Sequence, residues 1–216
     1  MPRPLTTTQK GADPDKSKKR KPQRLPKVIS REEAKLILSL PNIKTKIGLR
    51  NRTILQVLYR QGLRVQELCN LTLKDVDTQQ GFIYVQAGKG NKDRVTPMDP
   101  ETILWCKKWA EKRPMETNWF FPSLQGTALD QRYIRAMVAD YGKKAGVYIQ
   151  DGKKQKSVHP HCFRHTCFTE MLEENFVLTD IQQMAGHSDL KTSCIYLHVR
   201  PHALAAKIRA RQGVDV

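Results

Sequence analysis

Asp130-Gln131-Arg132-Tyr133-Ile134-Arg135-Ala136-Met137-Val138-Ala139-Asp140-Tyr141-Gly142-Lys143-Lys144-Ala145-Gly146 carries the clearest pattern in the chain. Tyr133, Ile134, Met137, Val138 and Tyr141 recur three and four apart, which puts them on one stripe of a helix. The spacing predicts a helix over 130–145, stopped by Gly146. Upstream, Ser30-Arg31-Glu32-Glu33 has the form of a capping box, with Ile29 and Ala34 placed for a hydrophobic staple. That predicts a helix to about Leu40, ended by Pro41. A second helix is expected over Leu49–Gln61, with Ile54, Leu55, Leu58 and Tyr59 at helical spacing and Gly62 closing it. A short third helix follows from Leu63 or Arg64. Asp99 and Pro100 read as N-cap and first residue of another, with Ile103, Leu104 and Trp109 as core. Downstream, short helices are expected after Pro160, over Thr179–Ala185 before Gly186, and around Tyr196. A last one starts at Pro201, with Leu204 and Ile208 on one face.

One segment reads differently. Phe82-Ile83-Tyr84-Val85 and Arg94-Val95-Thr96 are strand-like runs, and Gly88 and Gly90 free the turn between them. No internal repeat is present. The expected class is mainly α with a small antiparallel β-sheet (α+β).

The 216 residues include 38 Lys and Arg against 21 Asp and Glu, a net charge of +17. A surplus that large points to a polyanionic partner, most commonly nucleic acid. No apolar run reaches the ~20 residues of a membrane helix, and no secretory segment follows Met1. Five cysteines, Cys69, Cys106, Cys162, Cys167 and Cys194, are odd in number and irregularly spaced. They read as reduced thiols, so a cytoplasmic, nucleoid-associated protein is expected. Residues 1–29 hold nine basic side chains against Asp13 and Asp15, with frequent prolines and few large apolar groups. Such a segment is expected to be disordered in isolation, an electrostatic arm whose Lys18-Lys19-Arg20-Lys21 run contacts DNA.

Several polar residues could do chemistry together. Arg64 and Glu67 are three apart and share a helical face, so the carboxylate can hold a guanidinium toward a phosphate. His161 and Arg164 have the same spacing, and Arg164 offers a second guanidinium fork. Lys89 sits between two glycines at the hairpin tip, positioned for protonating a leaving oxygen, and Lys92 and Arg94 read as phosphate contacts. His187 follows Gly186 at a helix end. Tyr196 lies nine residues further on, whereas Tyr59, Tyr84, Tyr133, Tyr141 and Tyr148 fall in core-like patterns. A phenol with a pKa near ~10 is a poor nucleophile without a base and cationic neighbours. Each feature alone has a bland reading: a solvated ion pair, a turn lysine, a core histidine or tyrosine. His159, His161, Cys162, His165 and Cys167 cluster like metal ligands, but their spacing matches no usual zinc finger and no metal is expected.

Together the motifs resemble the tyrosine recombinase family over about Ser30–Val199. Gly62-Leu63-Arg64-x-x-Glu67-Leu68 is similar to that family's first arginine box, and Gly88-Lys89-Gly90-Asn91-Lys92 to its hairpin lysine. His161-x-x-Arg164-His165 is similar to its second box. Gly186-His187-Ser188 with Tyr196 is similar to its third. The resemblance implies the family's catalytic-domain fold over residues 30–199 and a catalytic set of Arg64, Lys89, His161, Arg164, His187 and Tyr196, supported by Glu67 and His165. Tyr196 would be the nucleophile, forming a 3′-phosphotyrosyl bond. Lys89 would be the general acid and His161 a base, while His187 would hydrogen-bond the phosphate. Double-stranded DNA is the implied partner, with no cofactor. Residues 200–216 would form a tail helix that joins protomers in a tetrameric synapse. Family members usually carry a helical core-binding domain ahead of the catalytic one. Only the basic arm precedes Ser30 here, so an accessory clamping protein, a minimal recombinase of a mobile element or a natural fragment is expected. A type IB topoisomerase-like enzyme and a non-catalytic DNA-binding protein are the alternatives.

Overall fold

The computed structural model describes residues 28–86, 93–114, 116–151 and 154–186. Seven α-helices and five strands lie in this part of the chain, with a 3-10 turn at Leu73–Asp75. They are α1 (Arg31–Ser39), α2 (Lys46–Gln61), α3 (Val65–Cys69), β1 (Val76–Asp77), β2 (Phe82–Val85), β3 (Arg94–Pro97), α4 (Pro100–Lys112), α5 (Gln131–Lys144), β4 (Tyr148–Asp151), β5 (Lys154–Ser157), α6 (Pro160–Glu173) and α7 (Leu178–Ala185). The class is the expected one, helical with small antiparallel sheets.

The predicted capping box at α1 is formed. Glu33 N donates to Ser30 Oγ at 3.1 Å, and Ser30 N donates to Glu33 Oε2 at 2.7 Å. Ile29 just before it is buried and exchanges hydrogen bonds with Thr166 of α6, which pins the chain's entry to the second motif's helix.

The axis of the molecule is α2. It packs against α4 and α6, with α1 and α3 at its flanks. It is buried on nearly all sides, including Arg50, Asn51, Arg52, Thr53 and Gln56. Buried polar groups need partners, and each of these residues has at least one, although Arg50 Nε has none among the described residues. Arg50 donates to Pro122 O and Tyr133 Oη, both at 2.7 Å, and Gln56 donates to Thr102 Oγ1 at 3.2 Å. The helix begins three residues before the expected Leu49, because Thr45 Oγ1 caps Gly48 N at 3.0 Å.

The first sheet has order β1-β2-β3, all antiparallel, with Ile83 opposite Thr96 and Val85 opposite Arg94. Ile83, Val85, Arg94 and Thr96 face inward, while Phe82, Tyr84 and Val95 face out. The second sheet, β4–β5, was not legible. Lys154-Gln155-Lys156-Ser157 has no apolar alternation and all four residues are exposed, so it is a strand only by pairing with β4.

The core runs from Ile29 through α2, α4, α5 and the start of α6. A smaller cluster of Cys167, Phe168, Met171, Leu172, Ile181 and Ala185 joins α6 to α7. Three expectations are corrected. The helix after Pro160 is 14 residues long, not short, because it is buried from Cys162 to Leu172. Leu104, expected in the core, is 47% exposed on the outer side of α4, while Trp109 is buried and donates to Phe120 O at 2.7 Å. Tyr84, Tyr133 and Tyr148 are exposed rather than core: Tyr84 and Tyr148 face out from their strands, and Tyr133 lies at the edge of α5 with its hydroxyl on Arg50 and Asn51.

Among the described residues no helix is long and apolar enough to cross a membrane, and no group of His, Cys, Asp and Glu is arranged to hold a metal. Cys69, Cys106, Cys162 and Cys167 are buried and not in disulfides. Burial pushes Cys106 and Cys167 up to about 12 and Cys69 to about 11, which keeps them unreactive.

Candidate active site

The first motif sits where α2 stops. Gly62 takes φ +56, a left-handed conformation, and a Cβ there would lie 2.8 Å from Phe168 Cζ, so α2 turns tightly over α6. Two residues later Arg64 is the N-cap of α3, in extended backbone. Glu67, one turn on, accepts from Arg64 N at 2.7 Å and from Arg64 Nη1 at 2.8 Å. The pairing expected from the sequence is therefore made. The Arg64 side chain is 34% exposed and that of Glu67 is 8% exposed, so the carboxylate is the buried anchor and the guanidinium reaches the surface.

A second arginine occupies the same carboxylate. Arg94 Nη1 and Nη2 donate to Glu67 Oε1 and Oε2 at 2.8 and 2.7 Å, and Arg94 Nε donates to Met184 O at 2.8 Å. Its side chain is only 5% exposed. This corrects the sequence reading of Arg94 as a phosphate contact: its fork is turned inward onto a buried acid. Burial alone would raise the Glu67 carboxyl, but the hydrogen bonds and charge of Arg94, then those of Arg64, outweigh it and hold the group at about 2.

The second motif opens α6, with Pro160 at the first turn. Arg164 is buried. Its Nη1 donates to Gly62 O, its Nη2 donates to Ala185 O at 2.7 Å, and its guanidinium lies 4.9 Å from the Phe168 ring centre. It thus binds the carbonyl ends of α2 and α7, where helix dipoles favour a cation. His161, one turn earlier, is at the surface. Desolvation on its packed side lowers its pKa, and the charges of Arg164, Arg135 and Arg64 lower it further. A neutral imidazole can accept a proton. His165 is held at about 4 by burial, then by His161, Arg164 and His159. The His159 and His161 rings meet edge to face at 6.3 Å.

The third motif is reached at its first residue. Gly186 ends α7 at φ +62, and a Cβ on it would stand 3.0 Å from Arg94 Cδ. Lys89, Lys92, His187, Tyr196 and the Lys18, Lys19, Arg20, Lys21 run lie outside the described residues. Of the expected set, Arg64, Glu67, His161, Arg164 and His165 are drawn together from segments about a hundred residues apart.

Sequence reasoning missed Arg135. It is on the exposed side of α5, opposite the apolar stripe, and its charge acts on His161. With Arg132, Gln131, Gln66 and Asn70 it lines an open cleft of ≈ 550 Å³ between α3 and α5. The available signal was Arg132 and Arg135 three apart on the polar face of a predicted helix.

The model of the phage integrase family matches residues 27–202. The chain belongs to the phage integrase family. Among relatives, the tyrosine recombinase XerD of Yersinia pestis is 35% identical over 189 residues, which cover 85% of this chain and 61% of that protein. The tyrosine recombinase XerC of Xanthomonas axonopodis pv. citri (strain 306) is 33% identical over 179 residues, covering 82% of this chain and 56% of that one. This integrase-family chain therefore spans about three fifths of the length of the curated relatives it matches. Among solved structures, the XerA recombinase superposes with a TM-score of 0.74 at 34% identity, covering 88% of this chain and 68% of that one. The XerH site-specific recombinase, in a post-cleavage complex with a palindromic difH substrate, gives 0.69 at 27% identity over 87% of this chain and 54% of that one.

Proposed function

We propose that this integrase-family chain breaks and rejoins double-stranded DNA as a tyrosine-type site-specific recombinase. The observation that carries the reading is the grip of Arg164. It bonds the carbonyl of Gly62, two residues before Arg64, and that of Ala185, two residues before His187 in the sequence. One guanidinium thus ties the end of α2, just before the first motif, and the end of α7 to the second motif.

In this reading Tyr196 Oη attacks a backbone phosphorus and the bond to O5′ breaks. The phenol proton passes to neutral His161, and Lys89 donates a proton to O5′. Arg64 and Arg164, with His187, stabilise the charge that gathers on the non-bridging oxygens. A 5′-hydroxyl then reverses the attack. The phosphodiester bond is conserved as a phosphotyrosyl ester, so rejoining needs no nucleotide. Lys92 and the basic arm contact the DNA backbone, and further copies of the chain complete the synapse through residues 200–216.

The test is a nicked suicide duplex that traps the cleaved state. Wild type should give a protein–DNA adduct on a denaturing gel, and Tyr196→Phe should bind the duplex equally but give none. An adduct from Tyr196→Phe would overturn the assignment. Joint molecules from two duplexes separate recombination from relaxation of one supercoiled circle, the topoisomerase-like alternative.

A further inference from the structure

Arg94 is almost wholly buried, and among the described residues its hydrogen bonds go to Glu67 and Met184, so that it joins two of the motifs. Both of its terminal nitrogens are spent on Glu67, the carboxylate that holds Arg64 by backbone and side chain. Its Nε holds Met184 O in the last turn of α7. Carbonyls in a helix's last turn lack an intrahelical partner, and a cation is favoured there. The side chain also lies across Gly186, whose Cβ position would be 3.0, 3.1 and 3.3 Å from Arg94 Cδ, Nη1 and Nε. The residue at 186 is thus kept to glycine both by its φ of +62 and by this arginine.

We propose that Arg94 is a positioning residue that locks Glu67, and through it Arg64, to the end of α7. It sets the separation between the first motif's arginine and Gly186 at the end of α7. The inference rests on the recombinase reading. A bidentate guanidinium–carboxylate pair fixes direction as well as distance, which a lysine cannot reproduce. Arg164 separately anchors Ala185 O and Gly62 O. Loss of Arg94 should therefore leave α7 docked but free to shift, and a misplacement of about 1 Å can cost roughly 10²-fold in rate.

The experiment uses the full chain and a nicked suicide duplex. It compares wild type with Arg94→Met, Arg94→Lys, Glu67→Gln and the Arg94→Met/Glu67→Gln double variant. Single-turnover adduct formation, DNA affinity and thermal melting are measured for each. Arg94→Met should slow adduct formation about 10²-fold while affinity changes little, and Arg94→Lys should recover part of the loss. The double variant should be no slower than the worse single one, since Arg94 acts through Glu67.

A pH profile adds a readout that a merely structural role would not move. Arg94 from β3 and Arg64 at the start of α3 are the charged groups facing Glu67. Without Arg94, the acid limb of the cleavage rate should move to higher pH. Wild-type rates in both Arg94 variants would overturn the proposal while leaving the recombinase reading intact, as would multiplicative losses in the double variant. Loss of a cooperative melt in both Arg94 variants would make the residue a folding element and would overturn it too. A wild-type chain that forms no adduct would instead sink the recombinase reading itself.

Discussion

Glu67 accepts four hydrogen bonds from two arginines and stays ionised where burial alone would protonate it. Its folded pKa of about 2 lies below the ordinary 4.5. Its contribution to stability is therefore complete above about pH 4.5 and is lost as the pH falls toward 2. The shift corresponds to on the order of a few kcal/mol. His165 works in the window above. It is held near 4 and stays neutral in the fold, while the unfolded imidazole, near 6.5, gains a proton. The unfolded state then binds more protons, so stability also falls as pH drops from about 6.5 to 4. Urea unfolding midpoints from pH 7 to 3 should decline in both windows. His165→Gln should flatten the upper part and Glu67→Gln the lower. A midpoint that does not change between pH 6.5 and 4 in wild type would contradict the His165 assignment.

At the scale of elements, the fold of the α1–α2 connection onto the start of α2 depends on one residue. A Cβ on Gly48 would sit 1.9 Å from Asn42 O and 2.9 Å from Thr45 Oγ1, the cap of the same helix. Backbone cannot move aside as a flexible side chain can. Gly48→Ala should thus cost at least the upper end of the roughly 1–3 kcal/mol of overpacking, whereas Thr45→Ala should cost only the ~1 kcal/mol of a lost cap. Thermal melts of the two variants decide it, and an equal or smaller loss for Gly48→Ala would refute the close approach. The start of α2 was misjudged by sequence for a related reason. Gly48 in the first turn lowers helix propensity, and the Asn42–Thr45 turn that demands it is held by Lys44 N and Thr45 Oγ1, which donate to Asn42 Oδ1 and Asn42 O.

At the scale of the whole molecule, charge is divided unevenly, and nine of the 38 basic residues fall in residues 1–29. Each phosphate neutralised adds about 0.9 to the slope of log affinity against log salt. If roughly four to six of these nine engage, a chain of residues 30–216 should show a slope lower by about 4–5 and weaker binding to all sequences. Site preference should persist, because backbone contacts carry little sequence information. Salt titrations of both chains check this, and an unchanged slope would mean that residues 1–29 do not act on DNA.

Sequence alone determined the parts of this protein that local physics controls. Ser30 and Glu33, Asp99 and Pro100, and Gly62 and Gly186 mark helix ends through contacts within four residues, and all six marks hold. The Arg64–Glu67 pair was legible for the same reason, since the two are three residues apart across the start of α3. The four motifs, read in order, fixed the family. Tertiary structure decided the rest. β3 alternates with a period of two, and its pattern leaves open which set faces inward. Val95 is the apolar choice, yet Arg94 and Thr96 are buried and Val95 is exposed. Arg94 can go inward only because Glu67, 27 residues earlier, meets its fork with both oxygens. Arg164 likewise goes inward because two helix ends, 102 and 21 residues away, turn their carbonyls to it. A buried ion pair has no sequence period. Its partners are found only when the chain has folded and each charge, stripped of water, has met its counterpart.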